Sequence, residues 1–412
     1  MNNTLVWQLA FRYLRGKRTA NAVPVLSRIS MVAIAVGSCA MIVLFSVFNG
    51  FEYLVKDLYK AFYPDIKISP AKGKFFKLED TKLASIKALP GVAALSYVLE
   101  DKVYVITDNN DQNVATIKGI DNNYFKVNNV GPYITDGRDS VVAGDIPTAI
   151  IGEQMANRLG LDPNSAFSKL IAYYPNAHAT NIALDPAAAF RSLQLKADGV
   201  FRVQDEFDSK YILAPLTLVQ YLLQQDGSYS SIEIKLAEGA DKDALKKQVQ
   251  QITGPSLHTQ TRFEQNKTLY LVMRTEKWAV YAILLLVLLI ASFNMIGALS
   301  LLVLEKRKDM AILRAIGAQP ADVRRIFIAE GVLWSLTGGL TGLLFGLLLC
   351  LGQKQFGWIK LQGSFIIESY PVRVQPFDLL LIIATILLVG LIAAWFPAMR
   401  AMKGTDMPGL KS

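Results

Sequence analysis

Glu305, Lys306, Arg307, Lys308 and Asp309 are five consecutive charged residues that end a run without a charged side chain, from Trp278 to Leu304. Charge packed this closely against apolar sequence serves recognition or anchoring rather than bond chemistry. The residue types that usually break bonds are sparse. The histidines are His178 and His258, the cysteines are Cys39 and Cys350, and no carboxylate spacing accompanies them as a metal site needs, so the histidines read as lone surface residues. No Gly-x-x-x-x-Gly-Lys followed by Ser or Thr occurs, which removes the usual P-loop and with it nucleotide hydrolysis by this chain. The charge-free cores 29–50, 278–304, 331–352 and 379–399 carry no Asp, Glu, Lys, Arg or His, where a proton-coupled carrier places one. No catalytic, metal-binding or cofactor-binding residue is assigned, and any energy is expected to arrive from outside the chain.

The charged cluster must be held by the elements around it. At about 1.5 Å of rise per residue, Trp278 to Leu304 is long enough to cross a hydrocarbon core of roughly 30 Å. Beyond the charges, Met310, Ile312, Leu313 and Ile316 continue at helical spacing to a stop at Gly317, with Pro320 following. The spacing predicts a short helix at the membrane boundary, with Arg314 among its basic residues. Two roles fit it. One is an ordinary positive-inside anchor. The other is a docking knob: Met310, Ala311 and Leu313 cannot all turn into lipid while Lys306, Arg307 and Arg314 stay wet, which leaves apolar surface for a partner's groove.

With 412 residues, 52% hydrophobic and 19% charged, the composition is that of a membrane protein. The net charge of +9 gathers beside the ends of hydrophobic runs, where topology and lipid headgroups account for it, so nucleic acid is set aside as a partner. Both cysteines lie inside apolar runs and offer no disulfide to an external domain.

Residues 1–28 carry Arg12, Arg15, Lys17, Arg18 and Arg28 without an acid, then a charge-free run from Ile29 to Gly50 follows. The long basic leader and the absence of a small-x-small cleavage site favour a retained crossing over a signal peptide. Val6, Leu9, Ala10 and Tyr13 suit an interfacial helix on the cytoplasmic side. On the first crossing Ile34, Gly37, Met41, Phe45 and Phe48 share one face. Met41, Phe45 and Phe48 are the candidates for a lipid-accessible substrate cavity, with packing against neighbouring helices as the other reading.

Residues 51–276 have the mixed charge and turn signals of an α+β domain outside the membrane. Segments 65–69, 102–107, 113–120 and SKLIAYY alternate as strands, with SSIEIKLAE as another. Helical spacing is expected at 78–89, at 153–161, over YILAPLTLVQYLL and over DKDALKKQVQQI. Tyr174 to Phe190 interrupts this pattern with Pro175, Pro186 and small residues. An irregular stretch of that length is functional or disordered, and a partner-binding loop is the functional reading.

The rest of the chain completes four crossings: 29–50, 278–304, 329–352 and 377–399. A cytoplasmic loop lies at 305–328, an external loop at 353–376 and a cytoplasmic tail at 400–412, so both termini fall on the basic side. Gly338, Gly342 and Gly346 form a GxxxGxxxG row that lets another helix approach closely.

Several stretches together resemble a known family: LAFRYLRG at 9–16, SVFNGFE at 46–52, IIGEQMANRLGL at 150–161, MRTEKW at 273–278, SFNMIGALSLLVLEKRKDMAILRAIGA at 292–318 and FPAMRAMKGTDMPGLK at 396–411. They resemble the FtsX/MacB-type ABC transporter permeases, and among them the lipoprotein-releasing LolC/LolE branch. Residues 162–230 match in general layout only. The resemblance implies a non-catalytic permease of the bacterial inner membrane, with a periplasmic domain built of a membrane-proximal part from its flanks and an inserted part at about 121–210. It implies that 305–318 couples to a separate ABC ATPase dimer, which carries ATP and Mg, and that a second, identical or homologous permease completes the cavity. By position, Tyr174, Pro175, Asn176, Ala177, His178 and Ala179 correspond to the loop that recruits a periplasmic lipoprotein carrier.

Physics fits that division of labour. Three acyl chains expose some forty methylenes, at about 0.8 kcal/mol each, so extraction through water costs on the order of 30 kcal/mol. The chains need an apolar route and an apolar acceptor. Competing readings are an efflux or peptide-export permease of the same superfamily and a signalling permease that moves no lipid.

Overall fold

The computed structural model describes residues 7–12, 22–165, 167–176, 189–361 and 369–403. Landmark helices are α1 (Ala22–Tyr59), α2 (Asp80–Lys87), α3 (Glu153–Arg158), α4 (Leu216–Leu223), α5 (Lys242–Thr253), α6 (Lys267–Glu305), α7 (Arg307–Ala315), α8 (Pro320–Phe356) and α9 (Pro376–Lys403). The chain divides into two compact units, one of residues 1–53, 272–360 and 369–412, the other of residues 54–271 and 361–368.

The first unit is built on α1, α6, α8 and α9, each long and apolar enough to cross a membrane. Its core includes Ile34, Met41, Phe45, Leu288, Met295 and Trp334. Val32 and Val36 of α1, Ile290 of α6, Leu344 of α8 and Leu388 of α9 stay exposed. Helices apolar on every face suit lipid as solvent. Several hydroxyls bond back to their own helix, as Ser38 does to the Ile34 carbonyl at 2.7 Å, which satisfies them where no water is at hand. The helices outrun the apolar sequence. Buried Leu54, Val55, Leu58 and Tyr59 keep helical spacing past Gly50, so α1 continues to Tyr59.

Glycine sets how α8 packs. A Cβ on Gly338 would lie 2.6 Å from the Met31 carbonyl oxygen, on Gly342 2.0 Å from that of Ala35, and on Gly346 2.2 Å from Ile42 Cγ2. The row is seated directly on the backbone of α1. A second set meets α9, with Gly331 against Ala394 and Gly339 against Ile386.

The second unit is a ten-stranded mixed sheet. Its strands are β1 (Ile66–Pro70), β2 (Val92–Thr107), β3 (Gln112–Ile120), β4 (Ile134–Gly137), β5 (Thr148–Gly152), β6 (Lys169–Pro175), β7 (Phe190–Phe201), β8 (Tyr211–Pro215), β9 (Ser231–Leu236) and β10 (Leu257–Thr261). The order is β10-β1-β9-β2-β3-β8-β5-β7-β4, with β6 on β2 and β7. Two cores share it. One packs Ile66, Ile68 and Ile234 under Leu83 and Ile86 of α2 and Leu245 and Val249 of α5. The other runs from Leu99 to Leu223 and is centred on Val105, Ile117, Ile151 and Ile212. The second core draws residues from both sides of 121–210, because β2 is long enough to feed both cores and α4 caps the far one.

YILAPLTLVQYLL is not one helix. Tyr211–Pro215 is β8, parallel to β3, and the helix begins at Leu216. Ile212, Leu213 and Ala214 are wholly buried, and Pro215, lacking an N–H, closes the strand and opens the helix. Just past α1, Phe62 stacks on Phe207 at 4.7 Å and lies 5.2 Å from Tyr211.

Candidate functional site

The charged cluster falls at the turn between α6 and α8. α6 ends at Glu305, α7 spans Arg307–Ala315, and Lys306 pairs with Asp309 at 3.3 Å. Gly317, at φ +101°, ends the helix. Its N–H donates to the Arg314 carbonyl, and that of Ala318 to the Leu313 carbonyl, both at 3.0 Å. This double closure needs a left-handed residue at Gly317's place. Gln319 and Asp322 then form a reciprocal cap with Pro320 at the first turn, so α8 starts at once.

The outward face of α7 differs from the expected one. Met310 is 3% exposed and belongs to the four-helix core. Leu313 is half-buried against the cluster of Ala10, Ile326 and Ala329. Residues 310 and 313 lie three apart and share one face, and that face is already taken by the helices behind it. The apolar side chains that reach outward are Ile312, 59% exposed, and Ile316, 79% exposed. They lie four residues apart, in line with exposed Lys308, and Glu305 and Arg307 are also exposed. Arg314 is half-buried.

The candidate cavity stripe lies mostly inside the helix core of this chain. Met41 and Phe45 are 0% and 1% exposed, and Phe45 packs 5.9 Å from Tyr281 of α6. Both side chains fill the helix core, and only Phe48 is half-exposed. Large flexible side chains at helical spacing fill gaps between helices as readily as they line a groove. The outward face of α1 is instead Val25, Ile29, Val32, Val36 and Leu44.

A polar knot near the opposite end of α6 was not legible in the sequence. Lys277 Nζ donates to Asp378 Oδ1 at 3.0 Å and to Asn49 Oδ1 at 2.8 Å, while Asn49 Nδ2 donates to Asp378 Oδ2 at 2.5 Å. Three helices meet there, and the Asp378 side chain is 2% exposed. The signal available was an Asn and a Lys inside SVFNGFE and MRTEKW, but nothing in one sequence joins them to Asp378.

Tyr174 and Phe190 lie where the pairing of β6 with β7 ends, a register that runs from Lys169↔Lys196 to Pro175↔Phe190. Ala177, His178 and Ala179 lie outside the described residues. The base is well held. The Tyr174 hydroxyl donates to Asp101 Oδ2 at 2.9 Å, and burial together with that bond pushes its phenol up to about 12. Asn176 N–H donates to the Ala189 carbonyl at 2.8 Å, and Gln224 Nε2 donates to Asn176 Oδ1 at 2.6 Å. Pro175 and Phe190 are exposed. His258, on β10, is exposed, and among the described residues no cluster of three or more His, Cys, Asp or Glu could hold a metal.

Four membrane-length helices, a sheet-rich unit formed by chain between the first two of them, and a short amphipathic helix between the second and third define a class, the permease subunits of ABC transporters. The chain belongs to the MacB-like periplasmic core domain family, which matches residues 27–252, and residues 281–405 match the FtsX-like permease C-terminal family. It is 26% identical over 420 residues to the lipoprotein-releasing system transmembrane protein LolC of Xylella fastidiosa, covering 98% of both chains. It is 23% identical over 413 residues to the lipoprotein-releasing system transmembrane protein LolE of Haemophilus influenzae, covering 96% of each. Among solved structures, the periplasmic region of MacB from Actinobacillus actinomycetemcomitans aligns at 12% identity and a TM-score of 0.37, over 53% of this chain and 98% of that one.

Proposed function

We propose that the chain is the permease subunit of an ATP-driven ABC transporter that draws lipoproteins from the outer leaflet of a bacterial inner membrane and passes them to a periplasmic carrier. In this reading both termini and α7 are cytoplasmic, the sheet unit is periplasmic, and a second permease, identical or homologous, completes the assembly. ATP and Mg belong to a separate ATPase dimer. The full-length likeness to LolC and LolE proteins supports the cargo.

The observation that carries the coupling role is the exposed pair Ile312 and Ile316, on a helix anchored from behind by buried Met310. A partner's groove can grip two apolar side chains one turn apart. Because α7 joins α6 to α8 directly, a push on it displaces two spans, and a partner that binds one arrangement better shifts the population toward it. Acyl chains would meet α1 on its outward valine and isoleucine face rather than at Met41 and Phe45.

The test is mass spectrometry of the tagged chain purified in mild detergent, with Ile312→Glu/Ile316→Glu beside the wild type. An ABC ATPase and acylated lipoproteins are expected with the wild type. The variant should lose the ATPase by at least tenfold with its thermal midpoint unchanged. An ATPase without lipoproteins overturns the cargo, and an ATPase retained by the variant overturns the docking face.

A further inference from the structure

Neither the coupling helix nor the hairpin accounts for a cavity of ≈ 570 Å³ on the sheet unit, lined by Lys56, Lys60, Lys242, Arg262, Phe263 and Tyr270 together with acidic Asp65, Asp243 and Glu264. Most of its acids are already matched within the protein. Asp65 accepts from Arg262 at 3.2 Å and from the Leu236 N–H at 3.0 Å. Glu264 accepts from Lys246 at 2.5 Å and from the Thr261 N–H at 2.9 Å. Lys242 is exposed and makes no ion pair among the described residues. The four cations and three acids of the lining leave a surplus of one positive charge, the complement of one phosphodiester.

The aromatic side of the cavity is wet. Phe263 is 51% exposed and stacks on Tyr270 at 5.1 Å, and Lys56 Nζ lies 5.7 Å over the Tyr270 ring. An exposed aromatic pair beside lysines is the side-chain mixture of a membrane–water interface. Chain distance agrees. Lys56 stands on α1 six residues beyond Gly50, and Tyr270 on α6 eight residues before Trp278. At helical rise those offsets are about 9 and 12 Å, a few Å beyond a headgroup layer roughly 5–8 Å deep and within the reach of a lysine side chain from it.

We propose that this cavity binds the phosphate-bearing headgroup of an anionic membrane phospholipid. Lys242 and Lys56 hold the phosphate, Lys60 being paired with Asp57 at 2.9 Å, and the Phe263–Tyr270 pair covers the glycerol end. The ligand is a resident membrane lipid, distinct from the transported cargo, and the site stands whether or not the chain releases lipoproteins.

The experiment is native mass spectrometry of the full chain in detergent, titrated with phosphatidylglycerol or phosphatidylcholine, for wild type, Lys242→Glu and Lys242→Arg. Lys242 is exposed, so neither variant threatens folding, and Phe263→Ser tests the aromatic side independently. One phosphatidylglycerol should be retained at least fivefold more tightly than phosphatidylcholine. Lys242→Glu should abolish that preference, Lys242→Arg should keep it, and Phe263→Ser should weaken it. Millimolar inorganic phosphate should not displace the lipid. Equal retention of the two lipids, or a preference untouched by Lys242→Glu, overturns the site. Displacement by phosphate alone overturns its assignment to lipid.

Discussion

The two ends of α6 carry charge in opposite ways. At Lys277 the cation is tied to Asp378 and Asn49 on two other helices, and the acid is almost wholly buried. At Glu305 to Asp309, 28 residues further and about 42 Å along the helix, the charges are mostly exposed, with a loose pair between Lys306 and Asp309. A buried pair fixes which helices are neighbours, because breaking it strands a charge in apolar surroundings. An exposed cluster contributes little to stability and is available to a partner. Charge at the edge of a span therefore has two uses here, and burial tells them apart.

The comparison breaks most visibly at Asp378. Asp378→Ala leaves Lys277 without its carboxylate and removes an acceptor from Asn49, a loss of about 3 kcal/mol or more. Lys277→Met/Asp378→Leu removes both charges and should recover most of that loss. Thermal unfolding in one detergent checks both variants. If Asp378→Ala is as stable as wild type, the knot is not structural. A smaller effect is expected from Gly342→Val, whose Cβ would enter the 2.0 Å space against the Ala35 carbonyl oxygen. Overpacking of this kind costs about 1–3 kcal/mol. Gly297→Ala, where nothing stands within 4 Å of the added Cβ, is the matched control, measured in the same unfolding series.

How far the sequence carried each feature follows from what periodicity contains. The spans were legible because a charge-free run needs no partner to be recognised, and the row Gly338, Gly342, Gly346 because close approach needs small residues at one spacing. Met310 against Ile312 was not legible. Both lie on a short amphipathic helix, and periodicity gives the faces without saying which face another element covers. Periodicity leaves Met41 and Phe45 open between packing and groove for the same reason. Lys277, Asn49 and Asp378 are 228 and 101 residues apart in their pairings, a distance over which a single sequence holds no pairing signal. YILAP was mistaken for helix because a short buried strand has no alternation to show.

The contrast between a buried acid with a cation and one without is sharpest at Asp208, in the sheet unit. Its side chain is fully buried. Oδ1 accepts the Val203 N–H at 2.9 Å, and Oδ2 has no hydrogen-bond partner among the described residues. Burial pushes its carboxyl up to about 7, against the pull of the Val203 backbone bond. The unfolded chain holds this carboxyl near 3.9, so the folded state binds the proton more tightly. Its contribution to stability is complete below about pH 4 and is lost as pH rises through about 7. Asp208→Asn keeps an acceptor for Val203 and carries no charge at any pH. Its stability relative to wild type should therefore increase between pH 5 and pH 8, by up to about 2.5 kcal/mol, read as a widening gap in thermal midpoints. A constant gap would mean that Asp208 is solvated in the folded protein and that burial alone does not separate the two kinds of acid.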